Sequence, residues 1–170
     1  MSGQNSTVYL SLGGNLGDPA KSMAAALRIL DGDDKTRVVA VSSLYRTPPW
    51  GKLDQPDFLN AAAAIATTLA PRALLELCLD AERRLKRVRE ERWGPRLIDI
   101  DILVFGHRII HETGLEVPHP RMLERAFVLA PLAEIAPELA VGGKSVSERL
   151  SGVDTAGIEK LPSGRDWWLN

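Results

Sequence analysis

Two aspartates, Asp99 and Asp101, stand at i and i+2 inside the apolar run Leu97-Ile98-Asp99-Ile100-Asp101-Ile102-Leu103. In a strand, side chains two apart leave the same face, about 6.6 Å apart along the chain. The two carboxylates therefore project together while Ile98, Ile100 and Ile102 face the other way. Carboxylates so placed repel, and they need positive charge beside them. Arginines can supply it as a salt-bridge network. Magnesium can supply it too, because it is a hard ion that takes carboxylate oxygen and leaves other positions to water and phosphate. Two such ions about 4 Å apart, bridged by the aspartates, would clamp a phosphoryl group in transfer.

Just upstream lie Arg83, Arg84, Lys86, Arg87, Arg89, Arg92 and Arg96, the last two in a Trp93-Gly94-Pro95 loop. They outnumber the local acids. A solvated helix face accounts for Arg83, Arg84 and Lys86. It accounts less well for Arg92 and Arg96, which sit beside the carboxylates, where fork-shaped donors suit a polyphosphate. The D-x-D spacing alone is common. With this neighbourhood it points to phosphoryl or nucleotidyl transfer.

The elements that must position these groups can be read from periodicity. Val8 to Leu12 is a strand closed by Gly13-Gly14, and Asp18-Pro19 opens a helix through Met23, Leu27 and Leu30 to Asp31-Gly32. Arg37 to Tyr45 reads as a second strand, broken by Pro48-Pro49, and Phe58 to Leu69 as a third. Pro71 opens a second helix with Leu74, Leu75, Cys78, Ala81, Leu85 and Val88 along its apolar stripe, so Cys78 reads as packing. Leu97 to Phe105 is a buried strand, and Arg108 to Ile110 a short added one. Met122 to Ile135 is helical, with Pro131 expected to end or kink it. The order β-α-β-β-α-β is that of the ferredoxin-like split βαβ: an α+β fold, mainly antiparallel, with helices packed on the sheet.

Composition bounds the rest. The chain has 170 residues, 45% hydrophobic and 25% charged, and its 21 basic against 22 acidic residues leave a net charge of −1. That is the balance of one globular domain, with no global field for nucleic acid. No apolar run approaches the roughly 20 residues of a membrane span, and Met1 to Thr7 lacks the apolar core of a signal peptide. A single cysteine excludes an internal disulfide and a multi-cysteine zinc site. The expectation is a cytoplasmic monomer of one domain, residues 1–170, without nucleic-acid or membrane partners.

Tyr45-Arg46-Thr47-Pro48-Pro49, Gln55-Pro56-Asp57-Phe58-Leu59-Asn60-Ala61, Arg92-Trp93-Gly94-Pro95-Arg96, Asp99-Ile100-Asp101, Val117-Pro118-His119-Pro120 and Arg125-Ala126-Phe127 together resemble the 6-hydroxymethyl-7,8-dihydropterin pyrophosphokinases of folate biosynthesis. The resemblance runs from about Tyr9 to Pro137, which sets a core of about 8–137 and a C-terminal extension of 138–170. It implies transfer of pyrophosphate from ATP to the pterin's hydroxymethyl oxygen, with release of AMP. It implies that Asp99 and Asp101 bind two magnesium ions and that Arg87 and Arg96 are the catalytic arginines. Arg89, Arg92, His119 and Arg125 match nucleotide and phosphate contacts, with Glu82 and Trp93 lining the shared site. Asn60 matches the amide that reads the pterin's polar edge, Phe58 and Phe127 the aromatic pair around its ring, and Thr47, Pro48 and Trp50 the loop beside it. Phe58 stands where the family also uses tyrosine. Pro120 and Gly114 take places that can carry tyrosine and arginine.

Other patterns carry less. Gly142-Gly143-Lys144-Ser145 lacks the leading glycine of a phosphate loop, since Glu138 occupies that place, and reads as a tight turn. Gly13-Gly14-Asn15-Leu16-Gly17 has the wrong spacing for a dinucleotide loop and reads as a turn into the helix, placed to line the pocket from below. His107 and His111 read as surface residues, and Trp167-Trp168 as a tail packed on the domain. A non-enzymatic ferredoxin-like module holding nucleotide or RNA is the alternative reading. The basic loop favours it, and the net charge and the missing aromatic RNP strand oppose it.

Overall fold

Strand β1 (Ser6–Gly14) runs up the middle of a six-stranded antiparallel sheet. The structure, a computed structural model, describes residues 5–49, 54–89 and 98–169, with the side chains of 87–89 left aside. Helix α1 (Pro19–Asp31) follows β1, then β2 (Thr36–Val41), β3 (Tyr45–Thr47), β4 (Phe58–Thr67), α2 (Pro71–Arg89) and β5 (Asp99–Phe105). A hairpin of β6 (Ile110–Glu112) and β7 (Leu115–Val117), a 3-10 turn at Met122–Glu124 and helix α3 (Ala126–Ile135) come next. A second small hairpin, β8 (Ala140–Val141) and β9 (Lys144–Ser145), leads to α4 (Val146–Ser151), β10 (Glu159–Lys160) and a 3-10 turn at Trp167–Leu169. The strands lie in the order β10-β3-β4-β1-β5, with β2 also on β4, and every pairing is antiparallel. This is the expected ferredoxin-like α+β arrangement.

Alternation along β1 divides the molecule into two packed layers. Val8, Leu10 and Leu12 are buried on one face with Ile98, Ile100 and Ile102, under Leu27 and Leu30 of α1 and Leu74 and Cys78 of α2. On the other face Ala62, Leu103 and Val104 pack against Val128, Leu129 and Leu132 of α3. A bulge between Tyr9 and Leu10 leaves Leu103 as an extra residue on β5, so Leu103 and Val104 both join the α3 layer. Helix α1 starts as its sequence dictates: Asp18 accepts from the Lys21 amide at 3.1 Å and Pro19 takes the first turn.

Several expected boundaries differ. The strand expected over Arg37 to Tyr45 is two strands, β2 and β3, because Ser42 substitutes its hydroxyl for a ladder carbonyl: Ala62 N–H donates to Ser42 Oγ at 2.9 Å. Gly13 and Gly14 lie inside β1 instead of closing it. The added strand starts at Ile110 and pairs with β7, since Arg108 closes a turn onto the Phe105 carbonyl at 3.0 Å. Met122–Glu124 is a 3-10 turn separated from α3 by Arg125, and Pro131 lies within α3 without ending it. Burial of Val128, Leu129 and Leu132 outweighs the one hydrogen bond that the proline removes. Gly142 and Gly143, at φ of 61° and 85°, form the tight turn between β8 and β9. Cys78 is buried, and His107 and His111 are exposed, as expected. No helix among the described residues is long and apolar enough to cross a membrane.

Candidate active site

One row across four strands reads Asp99 (β5), Gly13 (β1), Asn60 (β4) and Tyr45 (β3), each directly opposite the next. Opposed residues share a face, and the row below it, Asp101–Ser11–Ala62, ends on the α3 layer. Asp99 and Asp101 thus project together on the α3 side, with Ile100 turned to the opposite core, as the period of two requires. Asn60 lies two strand spacings from Asp99, about 10 Å. Between them Gly13 is the floor on which the Asn60 amide rests: a Cβ there would come within 2.8 Å of Asn60 Oδ1.

The Asn60 end is ordered. Its side chain is buried, and Nδ2 donates to Thr47 Oγ1 at 3.0 Å. Phe58 lies opposite Thr47 and, two residues from Asn60, leaves the same face. Helix α3 packs on that face and carries Phe127 in its first turn, with the Arg125 guanidinium 5.7 Å from the Phe127 ring centroid. Pro48 is exposed and has Gly157 of the C-terminal segment behind it.

The aspartate end lies on an outer strand of the sheet. Glu82 of α2 reaches around that edge and accepts the Ile100 N–H at 2.7 Å, between the two aspartates. Burial pushes the Glu82 carboxyl above its ordinary range; the Ile100 bond opposes this and the charges of Asp99 and Asp101 add to it. His119 is tied to the same edge by its N–H to the Leu103 carbonyl at 2.9 Å. Its imidazole is held below the ordinary value by burial and by Arg125 and Arg121, against the pull of Asp101, and is neutral at pH 7. Its Nδ1 accepts the Arg121 N–H at 3.2 Å, so the proton rests on Nε2, which can donate to an anionic oxygen. Burial, with Glu82 and Asp101 nearby, pushes the Cys78 thiol up to about 12, which leaves it inert.

A cleft of about 420 Å³ opens beside Asp101 and His119, walled by Leu75, Ile100 and Ile102 and by residues 112–116 and Pro120 of the β6–β7 region. Among the described residues no group of three or more metal-type side chains forms a closed cage. Two hard carboxylates with a carboxyl of raised affinity for protons behind them fit a cation that keeps water and phosphate in its shell.

Residues 9–137 match the model of 7,8-dihydro-6-hydroxymethylpterin-pyrophosphokinase (HPPK). The chain belongs to this family. It is 54% identical over 153 residues to the 2-amino-4-hydroxy-6-hydroxymethyldihydropteridine pyrophosphokinase of Methylorubrum extorquens, covering 90% of this chain and 97% of that one. The enzyme of the same name from Bacillus subtilis is 46% identical, with 98% of each chain covered. Among solved structures, the HPPK-DHPS of Plasmodium falciparum, in its A437G form with SDX-DHP, superposes with a TM-score of 0.73. At 16% identity that match speaks for the fold alone, covering 88% of this chain and 46% of that one. As an HPPK, the protein catalyses ATP-dependent pyrophosphoryl transfer to the hydroxymethyl group of 6-hydroxymethyl-7,8-dihydropterin in folate biosynthesis. Its substrates are ATP and the pterin.

Of the residues expected at the site, Thr47, Pro48, Phe58, Asn60, Glu82, Asp99, Asp101, His119, Arg125 and Phe127 are on described segments. Trp50, Arg92, Trp93 and Arg96 lie outside the described residues. Arg87 and Arg89 fall in the last turns of α2 with their side chains outside them. Sequence reasoning placed the Gly13–Gly17 segment beneath the pocket but did not single out the contact of Gly13 with Asn60, nor Leu75, Thr113 and Glu116 as cleft wall.

Proposed function

We propose that HPPK chemistry in this chain runs along the Asp99–Gly13–Asn60 row, with the triphosphate at the aspartate end and the pterin ring at the asparagine end. The observation that carries this is the row itself: paired carboxylates and a buried, oriented amide on one face, about 10 Å apart, with a glycine between them that leaves room for the amide. A two-ring heterocycle with a hydroxymethyl arm spans that distance.

Asp99 and Asp101 would hold two magnesium ions, which would neutralise the triphosphate and polarise its oxygens. Arg89, Arg92 and Arg125 donate to phosphate oxygens, and His119 offers its Nε2 proton beside them. Arg87 and Arg96 meet the charge that grows as the bond between the α- and β-phosphates breaks and AMP departs. Asn60 offers donor and acceptor to the pterin's rim, held in register by Thr47. Phe58 and Phe127 cover the ring faces, Pro48 and Trp50 close its side, and Glu82 and Trp93 line the space shared by both substrates. The transfer needs alignment and charge neutralisation above all, and a row fixed by a sheet supplies alignment. On this reading the enzyme works in the cytoplasm as a monomer without nucleic-acid or membrane partners, with its catalytic core at 8–137 and an extension at 138–170.

The test is direct. Protein, magnesium, ATP and the hydroxymethyl pterin should yield AMP in step with pterin pyrophosphate. ADP as the product, or nucleotide consumption indifferent to the pterin, would contradict it.

A further inference from the structure

Glu134 on α3 places a carboxylate with only 9% of its side chain exposed against the face of β3 that carries Tyr45, and it collects donors from two directions. From β3 and the residues before it come Ser43 N–H at 3.0 Å, Ser43 Oγ at 3.1 Å and the Tyr45 hydroxyl at 2.8 Å. From the C-terminal segment comes Arg165, whose Nε donates at 2.8 Å and whose second nitrogen reaches the Glu134 carbonyl at 3.0 Å. Burial pushes this carboxyl up, but Arg165, Tyr45 and Ser43 together bring it below its ordinary range, so it stays ionised.

The segment that supplies Arg165 is fastened along the same strand. Glu159 and Lys160 pair with Arg46 and Tyr45, Leu161 N–H donates to the Leu44 carbonyl at 2.8 Å, and Trp167 Nε1 donates to the Ser42 carbonyl at 2.8 Å. Tyr45 lies directly opposite Asn60, and Thr47, two residues on, accepts the Asn60 amide. Chain beyond the pyrophosphokinase match therefore grips the strand that orients the substrate amide, and Glu134 is the buried joint between the two.

We propose that Glu134 is a positioning residue for pterin binding, acting through Tyr45 and β3, and that Arg165 of the C-terminal segment completes the joint. This rests on the reading above that Asn60 and Thr47 hold the pterin. A charged hydrogen-bond hub next to a short strand limits the positions β3 can take, and with them the direction of the Asn60 amide. The donors to Glu134 named above come from β3, the residues before it and the C-terminal segment, on the pterin side of the row.

Steady-state kinetics with both substrates varied, on the full chain, tests this. Arg165 is half exposed, so Arg165→Gln should fold normally, and Tyr45→Phe keeps the ring while removing one donor. Each should raise the KM for the pterin on the order of fivefold, the weight of one hydrogen bond, with the KM for ATP unchanged. Arg165→Lys should recover part of the loss. Glu134→Gln should exceed both; should it fail to fold, the other two variants decide. An unchanged pterin KM in folded Arg165→Gln and Tyr45→Phe, or equal changes for both substrates, overturns the proposal. Asn60→Ala separates the two layers of the argument: if it too leaves the pterin KM unchanged, the underlying reading falls and the inference with it. If Asn60→Ala raises that KM while the joint variants do not, only the inference falls.

Discussion

The two ends of the site are built on opposite principles. Asn60 and Thr47 are 5% and 7% exposed, on β4 and the strand beside it, each locked to the other. Asp99 and Asp101 are only partly buried, on the outer strand β5, with Glu82 and His119 reaching around its edge. A group that reads the shape of a flat ring gains from burial, because its direction is then set before the ligand arrives. Groups that handle ions and phosphate need water to come and go, and an edge strand leaves them that access.

The largest expected effect lies at the edge. Asp99→Ala and Asp101→Ala should each lower kcat about a thousandfold or more while circular dichroism stays native. Unfolding of both variants would show instead that the carboxylates serve the sheet. Asn60→Ala should reverse the pattern: kcat/KM for the pterin falls about thirtyfold, roughly 2 kcal/mol for a buried polar contact, and ATP affinity holds in a calorimetric titration. Gly13→Ala is a finer probe. Its φ is not among the left-handed values, so an alanine there is conformationally ordinary, but its Cβ would push the Asn60 amide from Thr47. A loss of about tenfold in pterin affinity is expected, and it should vanish in an Asn60→Ala background if the two act as one unit. A loss that persists there would mean the floor itself touches the ligand.

The smallest effect concerns pH. The Glu134 carboxyl is held below its unfolded range, so its ionised form favours the native state. The stability it gives is present above about pH 4.3, the unfolded value, and is lost as pH falls through the folded one. Melting temperatures should therefore drop more steeply below that pH in the native sequence than in Glu134→Gln. Equal slopes would mean that Tyr45, Ser43 and Arg165 do not bias its ionisation.

Much of this was legible from residue order. The aspartate pair follows from the period of two in an apolar run, the first helix from Asp18, Pro19 and Gly32, and the antiparallel sheet from the order of elements. What stayed hidden depends on partners distant in sequence. The break between β2 and β3 arises from Ser42 bonding to Ala62, twenty residues on. That Gly13 makes room for Asn60, beyond lying beneath the pocket, appears only once the register places the two side by side. Glu134 reads as one more acid on an apolar helix, because its donors lie 89 and 91 residues upstream and 31 downstream. Pro131 misleads because local propensity assigns a break where burial on the sheet sustains the helix.

Calorimetric binding of a non-hydrolysable ATP analogue, with magnesium and then with EDTA, in the native sequence and in Asp101→Asn, tests the heart of the account. Tight binding should require magnesium in the native sequence, and the variant, still folded, should lose most of the difference between the two conditions. Equal affinity with and without the ion in the native sequence would contradict the assignment of these aspartates to cations.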